Sequence, residues 1–204
     1  LLIDCLTHQD SELFVVEGTH AANAITRVRH KQHQAVLRLQ GKLPNAKKKS
    51  LRSLLQNKQV ASLISSLGGS SFDDLNNPFS RIILLCDADH DGAHARALLI
   101  LLFYQHMREL ISAGRLYSGF APLYLIKAPD IDAVPAYSEE HRDSVVQKLS
   151  ADHEIDRAEL TIDRFKGLAS MPAEDLHQYC VSEESRTIKQ LSESDCASVS
   201  RALS

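Results

Sequence analysis

The sequence predicts an α/β fold, a mostly parallel sheet with helices on its faces. Three observations predict it. Short unbroken aliphatic runs end in turn residues, the pattern of strands covered on both faces. Segments with helical spacing lie between those runs. Acids follow two of the runs directly, at the strand edge where such sheets bind ligands.

In chain order, Leu13-Phe14-Val15-Val16 reads as a buried strand ending at Glu17-Gly18, and Thr19 then caps a helix reaching residue 29. Residues 35–39 form a second strand closed by Gly41. Pro44-Asn45 opens a basic helical region with apolar positions at Leu51, Leu54, Leu55, Val60, Leu63, Ile64 and Leu67. Residues 68–80, rich in Gly, Ser, Asp, Asn and Pro, form a loop. A third strand covers 81–86, and one long helix, apolar all round at its start and therefore buried, covers 92–113. Residues 123–126 form a strand, 130–135 a turn-rich break, and 139–149 a polar helix. The tail from Glu159 holds a strand-like stretch at Leu160 and Ile162, then R-F-K-G, then a short helix begun by Pro172.

With 204 residues, 44% hydrophobic and 24% charged, the chain suits one ordinary domain with an appendage. Cys5, Cys86, Cys180 and Cys196 are scattered without C-x-x-C spacing, so neither a disulfide framework nor a zinc site is indicated. The most apolar stretch, 97–103, is far shorter than the roughly 20 residues of a membrane span. With no signal peptide, a cytoplasmic setting without membrane contact is expected. The chain begins inside apolar sequence, at Leu1-Leu2-Ile3 without Met, and reads as a fragment of something longer.

The net charge of -3 hides an asymmetry. Between Glu17 and Asp73 there is no acid, while Arg27, Arg29, Lys31, Arg38, Lys42, Lys47, Lys48, Lys49, Arg52 and Lys58 all fall there. From Asp73 onward lie 22 of the 26 acids. A charge run is usually a solvated face, but so many uncompensated bases favour a polyanion, and nucleic acid first.

The third strand runs into I-I-L-L-C-D-A-D-H-D-G. If strand conformation persists past Cys86, Asp87 and Asp89 share a face about 6.6 Å apart and repel by about 2–3 kcal/mol at an effective dielectric near 20. A divalent cation, a basic partner or water must offset that. If the first and third strands are neighbours, Glu17 joins Asp87, Asp89 and Asp91 in an all-oxygen set suited to Mg²⁺. An EF-hand loop is rejected: its twelfth position is Leu98, and no helix precedes it. A strand-terminal D-x-D also suits an aspartyl-phosphate phosphotransferase, but that leaves Glu17 and the bases unused. An exposed acidic turn explains the acids alone. Glu17 and the basic segment together favour metal beside a phosphate backbone.

The stretches "VVEGTHAANA", "LRLQGKLPNAKK", "IILLCDADHDGAHARALLILLFYQHMRELISAGRLYSGFAPLYLI" and "RFKGLASM" stand in the order found in B subunits of bacterial type II topoisomerases. The chain resembles the Toprim domain and C-terminal tail of a DNA gyrase or topoisomerase IV B subunit, over residues 13–126 and 164–186. The resemblance implies a Toprim, Rossmann-like parallel sheet between helices over 1–127, with a small tail subdomain over 128–204 packing on or extending it. It implies Mg²⁺-dependent cleavage and rejoining of double-stranded DNA, with Mn²⁺ or Ca²⁺ as possible substitutes for the metal. The family's metal acids match Glu17, Asp87 and Asp89, with Asp91 as a nearby third aspartate. The basic residue of its G-K motif matches Lys42, and R-F-K-G matches Arg164 and Lys166; Lys47 and Lys48 belong to the same DNA-facing group, and His94 matches the histidine of an S-H pair.

In the family the nucleophilic tyrosine belongs to the A subunit, so this chain is expected to supply no nucleophile. Tyr104, Tyr117, Tyr124, Tyr137 and Tyr179 are then packing or surface residues. The resemblance further implies an A2B2 heterotetramer, a bacterial, nucleoid-associated cytoplasmic setting, and ATP binding in an N-terminal region outside this sequence. Several positions depart from the family: E-G-T-H-A with Ala22 and Asn23 for E-G-D-S-A and two glycines, Gln40 for the base before G-K, and Ala169-Ser170 for Gly-Glu. They bear on DNA positioning more than on metal binding. His20 and His90 are new near the acids, and Mg²⁺ prefers oxygen. The alternatives are a divergent paralogue that binds DNA or assembles without cleaving, and a single-chain Toprim nuclease or primase, which the R-F-K-G tail disfavours.

Overall fold

The computed structural model describes residues 1–153 and 155–203. In chain order the elements are β1 (Leu2–Ile3), β2 (Glu12–Glu17), α1 (Thr19–Val28), β3 (Gln34–Leu39), α2 (Leu51–Leu55), α3 (Lys58–Ser66), β4 (Arg81–Leu85), α4 (His90–His106), α5 (Arg108–Ser112) and β5 (Leu116–Phe120). There follow β6 (Tyr124–Ala128), β7 (Ile131–Ala136), α6 (Glu139–His153), β8 (Thr161–Arg164), α7 (Ala173–Leu176), β9 (Thr187–Gln190) and α8 (Glu193–Ala202).

A six-stranded sheet runs in the order β1-β3-β2-β4-β5-β9. Its four inner strands are mutually parallel, and the two edge strands run antiparallel. Parallel inner strands need cover on both faces, and side-chain alternation supplies it. Leu13, Val15, Ile82 and Leu84 face a layer containing α3 and α4, whereas Phe14, Val16, Ile83 and Leu85 face α1 and tail residues such as Leu168, Leu176 and Val181. Ile82 to Leu85 are each at most 1% exposed. Burial of each such side chain contributes about 1.5–3 kcal/mol, which makes β4 a rigid mount for whatever follows it.

The chain leaves β2 through α1 to β3 on one side, then returns through β4 on the other. The strand order therefore reverses between the carboxyl ends of β2 and β4, the place where open α/β sheets bind ligands. A second sheet, β7-β6-β8, packs on α6 through Tyr124, Ile126, Ala136, Val146 and Leu149.

Four local expectations are corrected. The basic region is two short helices rather than one opening at Pro44, because Ser50 caps α2 and Asn57 caps α3 through their side chains. Thr19 is the first helical residue and Gly18 the N-cap, with no side-chain cap bond. The helix expected over 92–113 starts at His90 and breaks at Met107 (φ -139°), giving α4 and α5. The expected break at 130–135 is the strand β7, an edge strand where Pro135 costs no central ladder bond. Strands β1, β5 and β9 and helix α8 were not anticipated. β9 and α8 return the tail to the main sheet, with Ile188 paired to Gly119 and Cys196 in the main core.

Candidate metal centre

Glu17 ends β2 and Asp87 follows β4 by two residues; the strands are paired, Val16 opposite Leu85. The neighbour relation that joins the two acids is therefore present. Gly18 permits the abrupt exit from β2: its φ of 85° lies in the left-handed region that side chains avoid. The strand ends at Leu85, so Asp87 and Asp89 are not alternating members of one strand. Asp89 is instead the N-cap of α4, its carboxylate accepting the Gly92 N–H at 2.8 Å. Asp91 lies in the first turn of α4 and accepts from the Lys42 ammonium at 2.6 Å. Acids at a helix N-terminus also gain from the axial dipole.

The tail completes the site. The Leu168 N–H donates to Asp87 Oδ1 at 2.8 Å. Gly167 passes so close that a β-carbon there would sit 2.8 Å from the Asp87 carboxylate carbon. The end of the R-F-K-G segment and the residue after it thus meet Asp87 through their backbone. Sequence reading missed this, and the glycine was the available signal. A cleft of about 350 Å³ is lined by Glu17, Thr19, His20, Asp87, Lys166 and Gly167 among others. Larger clefts lie beside α6 and beside α5, but neither brings strand-end acids together.

Burial pushes the Glu17 carboxyl above its usual range; Lys42 opposes this, while Asp87, Asp91 and Asp89 reinforce it. Burial likewise raises Asp87, against the Leu168 N–H and with help from Asp89. The hydrogen bond from Lys42 draws Asp91 the other way, below the usual carboxylate range. Burial is thus the main reason that Glu17 and Asp87 resist ionisation, with neighbouring acids adding to it, while Lys42 takes up Asp91. Among the described residues no three of these acids bring their oxygens within 4.8 Å of one another. Such spacing fits a small hard cation that keeps several waters and takes one or two carboxylates directly. The donors are all oxygen, so the set suits Mg²⁺ rather than a softer metal.

The other expected residues are dispersed. Lys47 reaches the Ser200 carbonyl of α8, and Lys48 is exposed. Arg164 ends β8 with its guanidinium 6.0 Å from the Tyr124 ring, while Lys166 lines the acid cleft. Thr19 receives long hydrogen bonds, each 3.4 Å, from Arg38 and Gln40, so Gln40 helps hold the E-G turn. His20 lines the cleft and His90 begins α4. All five tyrosines have structural partners: Tyr124 with Glu139, Tyr137 with Thr187, Tyr179 with the Ala133 carbonyl, Tyr117 with Gln190, and Tyr104 beneath Arg108.

No helix among the described residues is long and apolar enough to cross a membrane. Residues 12–118 match the family model of the Toprim domain. The sequence is 38% identical to the DNA gyrase B subunit of Thermotoga maritima over 98% of this chain and 31% of that protein. Identity is 36% to the DNA gyrase B subunit of Haloferax volcanii, over 98% of the chain and 31% of the relative. It is 34% to the DNA topoisomerase 4 B subunit of Bacillus subtilis, over 94% and 29%. The chain spans about a third of the length of these curated relatives. Four motif blocks in order, the strand reversal between β2 and β4 and the matched segment agree: the chain belongs to the Toprim domain family.

Proposed function

We propose that this chain is the Mg²⁺-binding Toprim part of a type II DNA topoisomerase B subunit, serving cleavage and rejoining of double-stranded DNA by a tyrosine on an A-type partner. The observation that carries the reading is the meeting of Glu17 and Asp87 at the strand reversal, both with raised pKa. Glu17, Asp87 and Asp89 are the proposed metal acids, and Asp91, held by Lys42, is the fourth acid proposed to join them. Bound there, the metal supplies Lewis-acid stabilisation of charge on the scissile phosphate and leaving oxygen.

The chain's own residues prepare that site. Leu168 fixes one oxygen of Asp87, leaving the other to turn toward the ion. The Asp89 cap anchors α4 against the acid turn. Lys48, Arg164 and Lys166 contact phosphates without reading sequence; to do so Lys42 must first leave Asp91 and Lys47 the Ser200 carbonyl. On the same reading, residues 1–127 are the Toprim domain and 128–204 a tail that extends it, supported by β9 and α8. Mn²⁺ or Ca²⁺ can replace Mg²⁺, and the working assembly is a cytoplasmic A2B2 heterotetramer whose ATP site lies elsewhere in the B subunit.

A complete B subunit carrying Asp87→Ala or Glu17→Gln, mixed with its A-type partner, is expected to lose Mg²⁺-dependent conversion of supercoiled DNA to linear product in the presence of a cleavage-trapping drug. Wild-type cleavage by both variants would overturn the assignment. If the wild-type pair binds DNA yet gives no linear product, the chain is instead a non-cleaving member of the family.

A further inference from the structure

The loop between β1 and β2 brings Asp4, Cys5 and His8 together at the end of the sheet opposite the acids. Their ligand atoms all lie within 4.8 Å of one another, the one His/Cys/Asp/Glu group among the described residues that does so. His8 Nδ1 is 3.8 Å from the Cys5 sulfur, and Nε2 is 3.6 Å from Asp4 Oδ2. The Cys5 N–H holds Asp4 Oδ1 at 2.8 Å, fixing the carboxylate beside the sulfur. The His8 ring lies edge-on to Phe79, with centroids 5.2 Å apart, which limits its rotation.

We propose that Asp4, Cys5 and His8 form a second cation site, one for a borderline-soft divalent metal of the zinc class. Mixed sulfur, nitrogen and oxygen donors select such a metal over Mg²⁺. Thiolate and carboxylate together neutralise a divalent charge. Three protein ligands leave one position of a tetrahedral ion for water. The Cys5 sulfur lies 3.1 Å from the Thr7 carbonyl, to which its thiol donates. Binding exchanges that S–H for a sulfur–metal bond and releases one proton to solvent, so affinity rises with pH. β2 runs from Glu12 to Glu17 between the two centres, a separation of about 17 Å along the strand. The ion therefore staples the β1–β2 loop and takes no part in chemistry at Glu17. The sequence signal is D-C-x-x-H, which C-x-x-C spacing does not capture.

The test is titration of the intact protein with Co²⁺ in excess Mg²⁺. One equivalent should give the near-ultraviolet thiolate-to-cobalt charge-transfer band, and Zn²⁺ should displace it. Asp87→Asn should leave the band unchanged, and Cys5→Ser should abolish it. His8 is exposed, so His8→Ala should keep the fold while weakening Co²⁺ at least about tenfold, the lower end of what losing even an outer-shell partner costs. Absence of the band in the wild type overturns the proposal, as does its persistence in Cys5→Ser. An unchanged affinity in His8→Ala also overturns it, because a lone thiol would then be binding the metal.

Discussion

The two ends of β2 carry glutamates that fare oppositely. Glu12 is fully buried, yet Arg186 and Arg81 pair with it, the latter at 2.6 Å, and the Gln34 amide donates at 2.9 Å. Burial works against its charge, and those partners prevail, holding the carboxyl below the usual range. Glu17 is half-buried with other acids around it and one lysine in opposition, and its carboxyl is pushed up. Charge at the first end is satisfied by the chain. At the second end no such set of partners is in place, and on the proposed function an added cation takes their role. A satisfied buried carboxylate reads as structure, and an unsatisfied one at a strand reversal reads as a site.

The largest expected effect lies at the satisfied end. Glu12→Gln leaves Arg186, only 2% exposed at its side chain, without its counter-charge, and should destabilise the protein by about 3–5 kcal/mol. A denaturation midpoint unchanged from wild type would dissolve the contrast. At the other end, Mg²⁺ at about 100 times its Kd should stabilise the wild type by about 2.7 kcal/mol. Asp87→Asn should erase that gain while leaving the metal-free protein at least as stable. Gly167→Ala comes next. Its new methyl meets the Asp87 carboxylate, so Mg²⁺ affinity should fall by about 10–100-fold, as for a lost supporting contact. Calorimetry checks this, and circular dichroism should show the fold retained.

Acid distinguishes the ends more finely. The Glu12 pKa is lowered, so its stabilisation is present above the ordinary glutamate range and is lost as pH falls through the lowered folded value. Glu17 and Asp87 are raised, so their charges destabilise the metal-free protein at neutral pH, and that penalty fades as pH falls through the raised values. Mg²⁺ needs both as carboxylates. Its affinity should therefore begin to fall at a pH where ordinary carboxylates remain ionised, and a titration curve with normal carboxylate midpoints would remove the distinction between the ends. The smallest effect belongs to Lys42→Met. Loss of an exposed ion pair should barely move stability, while the freed Asp91 should tighten Mg²⁺ by a few-fold or less.

Of this contrast the Glu17 end was legible in the sequence, and the Glu12 end was not, because its partner Arg186 is 174 residues away. The runs at 13–16 and 82–86 are apolar without interruption, so β2 and β4, and the acids that follow them, could be read directly. β5 was not, because its Ser118 and Gly119 look like a turn. The structure needs that small residue where a β-carbon would meet Ile83 and Leu85 at 3.1 Å. β9 carries one aliphatic, Ile188, and takes its place from pairing with β5, which no local pattern encodes. Helix α8 did announce itself through the capping box Ser192 to Asp195, which went unread. At the site, the acids were visible but their division was not. That Asp89 caps a helix, Lys42 holds Asp91 and a tail N–H holds Asp87 are facts of the folded chain, the last spanning 81 residues.

Whether Glu17 and Asp87 share a divalent ion is decided by titrating the protein with Mn²⁺, followed by the loss of its free-ion electron paramagnetic resonance signal and by competition with Mg²⁺. The expected result is an Mg²⁺-displaceable ion in the wild type, lost in both Glu17→Gln and Asp87→Asn and retained in Cys5→Ser. Equal binding by wild type, Glu17→Gln and Asp87→Asn would show that the two acids hold no metal between them.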